Sequence, residues 1–206
     1  MNDEGRLNVS VTLASYEERA EAYLQDSASS SLAAYEEFLR GVVTLLPAHA
    51  QMLELGSGPG HDALFFEANG VAVQRTDGAP AFVDRLRASG HQADLLEVTT
   101  AEFGGPFDIV FANAVLLHLT VHQLDDVLTK AARAVRPKGL LAFTVKEGEG
   151  EAWTTAKIGK PRYFTYWSEA AIRTHLTGNG WEPLSIKHER GRTEPWLFVV
   201  CRRNPP

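Results

Sequence analysis

The first 48 residues carry hydrophobic positions at helical spacing and read as two helices. Ser15-Tyr16-Glu17-Glu18 has the form of a capping box, in which a Ser and a Glu satisfy two backbone donors. Tyr16, Ala20, Tyr23 and Leu24 then share one face. A short polar hinge from Ser27 to Ser31 separates them from a second stripe, Leu32, Tyr35, Phe38, Leu39, Val42, Val43 and Leu46, which Pro47 stops. From residue 51 the texture changes to short apolar runs. Residues 52–55, 71–73, 109–112 and 140–145 read as strands buried on both faces, with helix-sized segments at 62–69, 80–89 and 121–135 between them. The last of these opens with a second capping box, Thr120-Val121-His122-Gln123, and Pro137-Lys138-Gly139 supplies a turn into the next strand.

The alternation of strands with helices predicts a parallel sheet covered on both sides. Toward the end the rhythm breaks. Residues 168–177 read as a helix closed by Gly178-Asn179-Gly180, and two runs around 184–187 and 196–201 follow with only a short polar link. A link that short joins antiparallel neighbours. The expected fold is therefore α/β: a doubly wound, mostly parallel, seven-stranded sheet finished by a C-terminal antiparallel hairpin. The expected organisation is one domain, with residues 1–48 as a helical cap, 49–145 as a ligand-binding core, and 146–206 as a facing loop, helix and hairpin.

Composition narrows the class. At 44% hydrophobic and 22% charged, the chain has the balance of a globular protein, and no run approaches the roughly 20 apolar residues a membrane helix needs. The N-terminus is polar and acidic, unlike a secretory signal, and Cys201 is the only cysteine, so an intramolecular disulfide is excluded. These features predict a cytoplasmic protein without membrane attachment, as a monomer or homodimer. A net charge of −6 argues against a general nucleic-acid binder, whose affinity comes from clustered Lys and Arg.

The chemistry begins at Glu54-Leu55-Gly56-Ser57-Gly58-Pro59-Gly60, where the first strand hands over to the first helix of the alternating region. Glycines there let the backbone turn sharply and approach a ligand, and the helix start beyond offers unpaired N–H groups. A tight turn without a ligand is the plainer alternative. The dinucleotide fingerprint needs a glycine where His61 stands. No Gly-Lys follows for a Walker-type loop, and Ser57 lacks the flanking glycines of a nucleophile elbow.

With its G-x-G-x-G loop the chain resembles the class I S-adenosylmethionine-dependent methyltransferases, over about residues 50–145. The resemblance implies that Glu54, Gly56, Ser57, Gly58 and Gly60 wrap the methionine part of that cofactor. It also implies that Asp77, followed by Gly78, receives the ribose hydroxyls, and that Asp94 and Leu95 read the adenine edge. A carboxylate suits two vicinal hydroxyls because it accepts from both. Asp77 has a second use as a helix cap, and Asp94 as a surface turn residue. Phe107 to Asn113 resembles the family's fourth motif, which places Asp108 at the far end and Asn113 beside the transferred methyl group. DNA amino-methylases carry a proline-rich signature here and this chain has none.

An in-line methyl transfer needs alignment and exclusion of water, and a base only if the nucleophile arrives protonated. His118 is the candidate base, with packing under the following helix as its other reading. His118 and His122 fall on different elements, so no metal pair is expected. Lys146, Arg162, Tyr163, Tyr166 and Trp167, in a loop beyond the fifth strand, are the candidate acceptor contacts, alongside His118 and Arg19. Their alternative is a charged surface loop whose aromatics close the core. Residues 146–169 are similar to a branch of small bacterial methyltransferases that remain uncharacterised. Tyr16 reaches the same site if the first helix folds over it, and otherwise belongs to a core face. The function that follows is methylation of a small molecule. The alternatives are an S-adenosylmethionine-binding module without catalysis, a methyltransferase acting on RNA or protein, and a nicotinamide oxidoreductase, which the glycine spacing opposes.

Overall fold

The computed structural model describes residues 3–27, 33–191 and 194–205. Seven strands form the main sheet: β1 (Gln51–Leu55), β2 (Ala72–Asp77), β3 (Ala93–Leu95), β4 (Phe107–Asn113), β5 (Val135–Lys146) and, numbered in chain order, β8 (Trp181–Arg190) and β9 (Pro195–Arg203). Their order is β3-β2-β1-β4-β5-β9-β8, parallel through β5 and antiparallel for the last two. This is the doubly wound sheet with a terminal hairpin that the alternation predicts. The order reverses at β1, and an open α/β sheet has its ligand crevice there, at the carboxyl ends of its strands.

Successive residues on a strand face opposite sides, so the apolar runs build two cores. Leu53, Val110 and Phe143 face α5 (Val121–Ala134) and α6 (Glu169–Gly178) through Leu124, Val127, Leu128, Ile172 and Leu176. Met52, Ile109, Phe111 and Ala142 face α2 (Ala33–Thr44) and α3 (His61–Ala68) through Phe38, Leu39, Val42 and Phe66. The predicted capping box at Thr120 is present, with Gln123 N donating to Thr120 Oγ1 at 3.3 Å and Thr120 N donating to Gln123 Oε1 at 2.9 Å. Thr120→Ala removes one arm and is expected to cost about 1 kcal/mol in chemical denaturation. An unchanged midpoint would show that packing alone holds this end.

Three local expectations are corrected. Ser15 does not open a helix: α1 runs Asp3–Ser27, kinked at Arg19, and the Ser15 hydroxyl donates to the Pro161 carbonyl at 2.7 Å. The motif is spent on a tertiary contact. Pro137-Lys138-Gly139 does not precede β5 but lies inside it, with Lys138 at φ 65° where the pairing with β4 jumps from Phe107/Val135 to Ile109/Leu140. Residues 146–169 are not an open loop: β6 (Glu151–Thr154) and β7 (Arg162–Thr165) pair into a second, two-stranded sheet. The predicted hinge beyond Ser27, Leu32 and the side chain of Leu24 lie outside the described residues. Among the described residues no helix is long and apolar enough to cross a membrane.

Candidate active site

The loop after β1 turns through left-handed backbone at Gly56 and Gly58 (φ 68° and 48°). A Cβ on Gly56 would collide with Val115, whereas one on Gly58 would project into open space at the cleft wall. Those are the demands of a close approach and of an open cradle. Asp77, at the end of β2, ties the loop in place: Gly58 N donates to its Oδ2 at 2.8 Å and Ala79 N to its Oδ1 at 2.9 Å. Ser57 N donates to Thr76 O at 2.8 Å. One layer deeper, the Ser57 hydroxyl donates to Glu54, whose side chain is buried. Burial pushes the Glu54 carboxyl up to about 8. It also raises Asp62 and Asp77, although backbone N–H groups from Ala79, Gly58 and Gly78 oppose the shift at Asp77.

The end of β4 forms the facing side. Asn113 is fixed at both ends of its amide, donating to Asp62 Oδ2 at 2.9 Å and accepting from Thr144 Oγ1 at 2.7 Å. Thr144 Oγ1 also accepts from Ala114 N, which steadies Ala114 at φ 55°. A 3-10 turn, Leu116–His118, then aims His118 at the cleft. His118 Nδ1 lies 2.6 Å from the Tyr163 carbonyl, which can only accept, so Nδ1 carries the proton. Nε2 is then a bare acceptor and takes the Tyr16 hydroxyl at 3.0 Å. The Tyr16 oxygen in turn accepts from Arg162 Nη1 at 3.1 Å. Burial, with Arg162 and Lys146 nearby, pulls His118 down to about 3, so the imidazole is a neutral hydrogen-bond partner.

One cleft, with about 720 Å³ of empty space counting its mouth, joins the two sides. Of the sequence-predicted residues it brings together Tyr16, Gly56, Gly58, Asp77, Gly78, Asn113 and His118. Glu54, Ser57 and Gly60 lie behind the loop, buried. Asp94 and Leu95 are exposed on the edge strand, where Asp94 accepts from Gln74 at 3.2 Å; the wall at that end is Leu96, Glu97 and Val98. Arg19 is exposed at the α1 kink.

The candidate acceptor contacts sit behind the cleft lining. Lys146 pairs with Glu194 and lies over the Phe164 ring, 3.9 Å from its centroid. Tyr163 and Trp167 are buried, Trp167 within the larger core, and Tyr166 packs beside Gly148. β7 is buried along its whole length while β6, paired outside it, is exposed, so Tyr163 and Phe164 are both enclosed. Sequence reasoning missed Val9, Thr12 and Leu13, which line the cleft from α1. Their signal was present: Val9, Leu13, Tyr16, Ala20 and Tyr23 continue one helical stripe across Ser15.

Comparison with known proteins agrees with this geometry. Residues 53–143 match the model of a methyltransferase domain. Hemagglutinin 1 of Eikenella corrodens is 30% identical over 98 residues, covering 45% of this chain and 33% of that protein. The malonyl-[acyl-carrier protein] O-methyltransferase of Enterobacter lignolyticus (strain SCF1) is 31% identical over 145 residues, covering 65% of this chain and 56% of that protein. The chain thus spans about a third to somewhat over half of these relatives' lengths. In fold it is similar to the 1,6-didemethyltoxoflavin-N1-methyltransferase of Burkholderia thailandensis, solved with 1,6-didemethyltoxoflavin and S-adenosylhomocysteine bound. That likeness has a TM-score of 0.76 at 16% identity and covers 97% of this chain and 90% of the other. The domain match runs from the strand that carries the glycine cradle to the strand beyond Asn113, and over that region the chain is similar to the class I S-adenosylmethionine-dependent methyltransferases.

Proposed function

We propose that this chain is an S-adenosylmethionine-dependent methyltransferase that methylates a small molecule by in-line transfer. The supporting observation is the shared cleft, with Gly56, Gly58 and Asp77 at one end and Tyr16, Asn113 and His118 at the other. The residues present fit the cofactor. The open space at Gly58 admits it, Asp77 keeps lone pairs for two ribose hydroxyls beyond the two N–H groups it already accepts, and Leu96 to Val98 flank a flat base. In this reading Glu54, buried beneath the loop, supplies negative potential for the amino acid part, and Leu96 to Val98 replace Asp94 and Leu95 at the adenine edge.

When bound, the cofactor supplies a methyl group made electrophilic by its sulfonium. The chain's own contribution is alignment. Asn113, immobilised by Asp62 and Thr144, fixes the floor beside the methyl position, and α1 lays Val9, Leu13 and Tyr16 over the cleft to exclude water. His118 is proposed to act at the acceptor end by holding the Tyr16 hydroxyl through its Nε2. Residues 1–48 act as the cap, 49–145 as the cofactor core and 146–206 as the acceptor side, with Arg19, Lys146, Arg162, Tyr163, Tyr166 and Trp167 around that end. The reading includes a cytoplasmic monomer or homodimer, supported by the single cysteine, and a small acceptor in place of nucleic acid, supported by the net charge of −6.

Isothermal titration with S-adenosylhomocysteine tests the first half. Saturable binding in the micromolar range is expected. The absence of both heat and a thermal shift at millimolar ligand would discard the reading.

A further inference from the structure

Arg162 is 5% exposed, yet among the described residues no carboxylate lies within ion-pair distance of its guanidinium. Its Nη1 donates to the Tyr16 hydroxyl at 3.1 Å, its Nη2 to the Ala156 carbonyl at 2.6 Å, and its Nε has no partner. Aromatic faces complete the surroundings: Tyr16 at 5.6 Å and Phe164 at 5.1 Å from ring centroid to guanidinium carbon. Buried Arg75 pairs with Glu67, whereas buried Lys130 is held, as Arg162 is, by carbonyls (Val98 and Ala101) and an aromatic ring (Phe103); what sets Arg162 apart is its link to the cleft. A buried charge held only by neutral groups is costly unless an anion joins it. Arg162 does not itself line the cleft, but its Nη1 is bonded to the hydroxyl of Tyr16, a residue that does.

Among the described residues, the same end of the cleft offers no group suited to removing a proton. His118 has its Nδ1 proton committed to Tyr163 O and its Nε2 lone pair to Tyr16, and burial makes it a weak base. Asp77 belongs to the cofactor end and already holds two backbone N–H groups. Nucleophiles that must be deprotonated on arrival, such as alcohols and ammonium groups, are therefore poorly served. Val9, Leu13, Val115 and Leu119 also line the cleft, beside Thr12, and suit an apolar body.

From these observations, and resting on the methyltransferase reading above, we propose that the acceptor is a small apolar carboxylic acid, methylated on its carboxylate, which binds Arg162 Nη1 in place of the Tyr16 hydroxyl. A lone pair of one carboxylate oxygen forms the O–CH3 bond while the C–S bond of the adenosyl sulfonium breaks and its electron pair passes to sulfur. Anion and cation are both consumed, giving a neutral methyl ester and a neutral thioether. No proton moves, so no base is required.

The test uses the whole chain saturated with S-adenosylhomocysteine, titrated with benzoate, phenylacetate and hexanoate, each against its amide. The acids are expected to bind at least tenfold more tightly than their amides, and Arg162→Gln is expected to remove that preference while Arg162→Lys keeps part of it. Both variants should hold S-adenosylhomocysteine within about threefold of the parent, since Arg162 lies away from the cradle. Turnover with labelled S-adenosylmethionine should give a product whose methyl group alkali releases as methanol. Equal binding of acid and amide, no acid bound at all, or an alkali-stable product overturns the proposal. If Arg162→Gln fails to fold, the acid-to-amide ratio in the parent and in Arg162→Lys decides it. Loss of S-adenosylhomocysteine binding by the parent would instead sink the cofactor reading on which this rests.

Discussion

Asp77→Asn is expected to weaken S-adenosylhomocysteine binding by roughly a hundredfold or more. The Asp77 carboxylate is 7% exposed and serves two sets of donors. Within the protein it accepts from Gly58 N and Ala79 N, which fixes the glycine loop against the end of β2. Toward the ligand it keeps the lone pairs that two vicinal ribose hydroxyls require. An amide accepts on one side only, and its NH2 must face either a backbone N–H or a hydroxyl. Hydrogen bonds to a charged partner contribute about 1.5–3 kcal/mol each, so two lost at the ribose exceed a hundredfold in affinity. The loop contact adds a second effect that can be read separately. Because Asn still accepts once, thermal unfolding should shift by only a few degrees, far less than the loss of binding implies. Binding within threefold of the parent would show that the ribose is held elsewhere. A collapse of the fold with no change per folded molecule would leave Asp77 only its structural role.

The cradle was legible because its signals are local. Glycine spacing, an acid at the end of the next strand and short apolar runs report strand, turn and ligand side within a few residues of one another. The parts that escaped depend on distant partners. Asn113 was picked out by position, but its fixing depends on Asp62 and Thr144, which reach it from α3 and β5. His118 attracts attention as a base because a free imidazole titrates near neutrality. Its burial and the Tyr163 carbonyl, supplied from β7, make it something else. The adenine-edge expectation fell on Asp94 because a carboxylate there can read an amine. β3 is only three residues long, and the chain bends into the cleft one residue later, at Leu96, whose N–H is held by Asp77 O at 2.9 Å. Ser15 shows the opposite error: a capping motif complete in sequence, yet its hydroxyl is used by the Pro161 carbonyl, just ahead of β7.

Raising the pH from 5 toward 8 is expected to destabilise the ligand-free protein, and Glu54→Gln should remove most of that slope. Glu54 is 2% exposed among Ser57, Asp62, Arg75 and Asp77, and burial is the main cause that lifts its carboxyl from 4.5 to about 8, ahead of the opposing Ser57 hydrogen bond. Between those values the folded chain holds a proton that the unfolded chain has released. Stability from this site is thus complete below 4.5 and lost as the pH climbs to about 8. At about 1.4 kcal/mol per unit the full span is on the order of 5 kcal/mol, an upper bound because surrounding groups relax. Asp62 and Asp77, also raised by burial, add to the slope in the same sense. Glutamine stays neutral at every pH, so the variant should be more stable than the parent at pH 8 and nearly equal to it at pH 5, by several degrees and about none respectively in thermal melts. Its cost falls on function. Bringing a sulfonium and an ammonium next to Glu54 favours the ionised form, so S-adenosylmethionine should release about one proton as it binds near neutral pH, visible as a titration heat that depends on the buffer's own ionisation enthalpy. Glu54→Gln should abolish that dependence and weaken binding at the same time. If parent and variant share the same pH slope, Glu54 is ionised in the ligand-free protein, and burial has been offset by a contact stronger than the Ser57 hydroxyl.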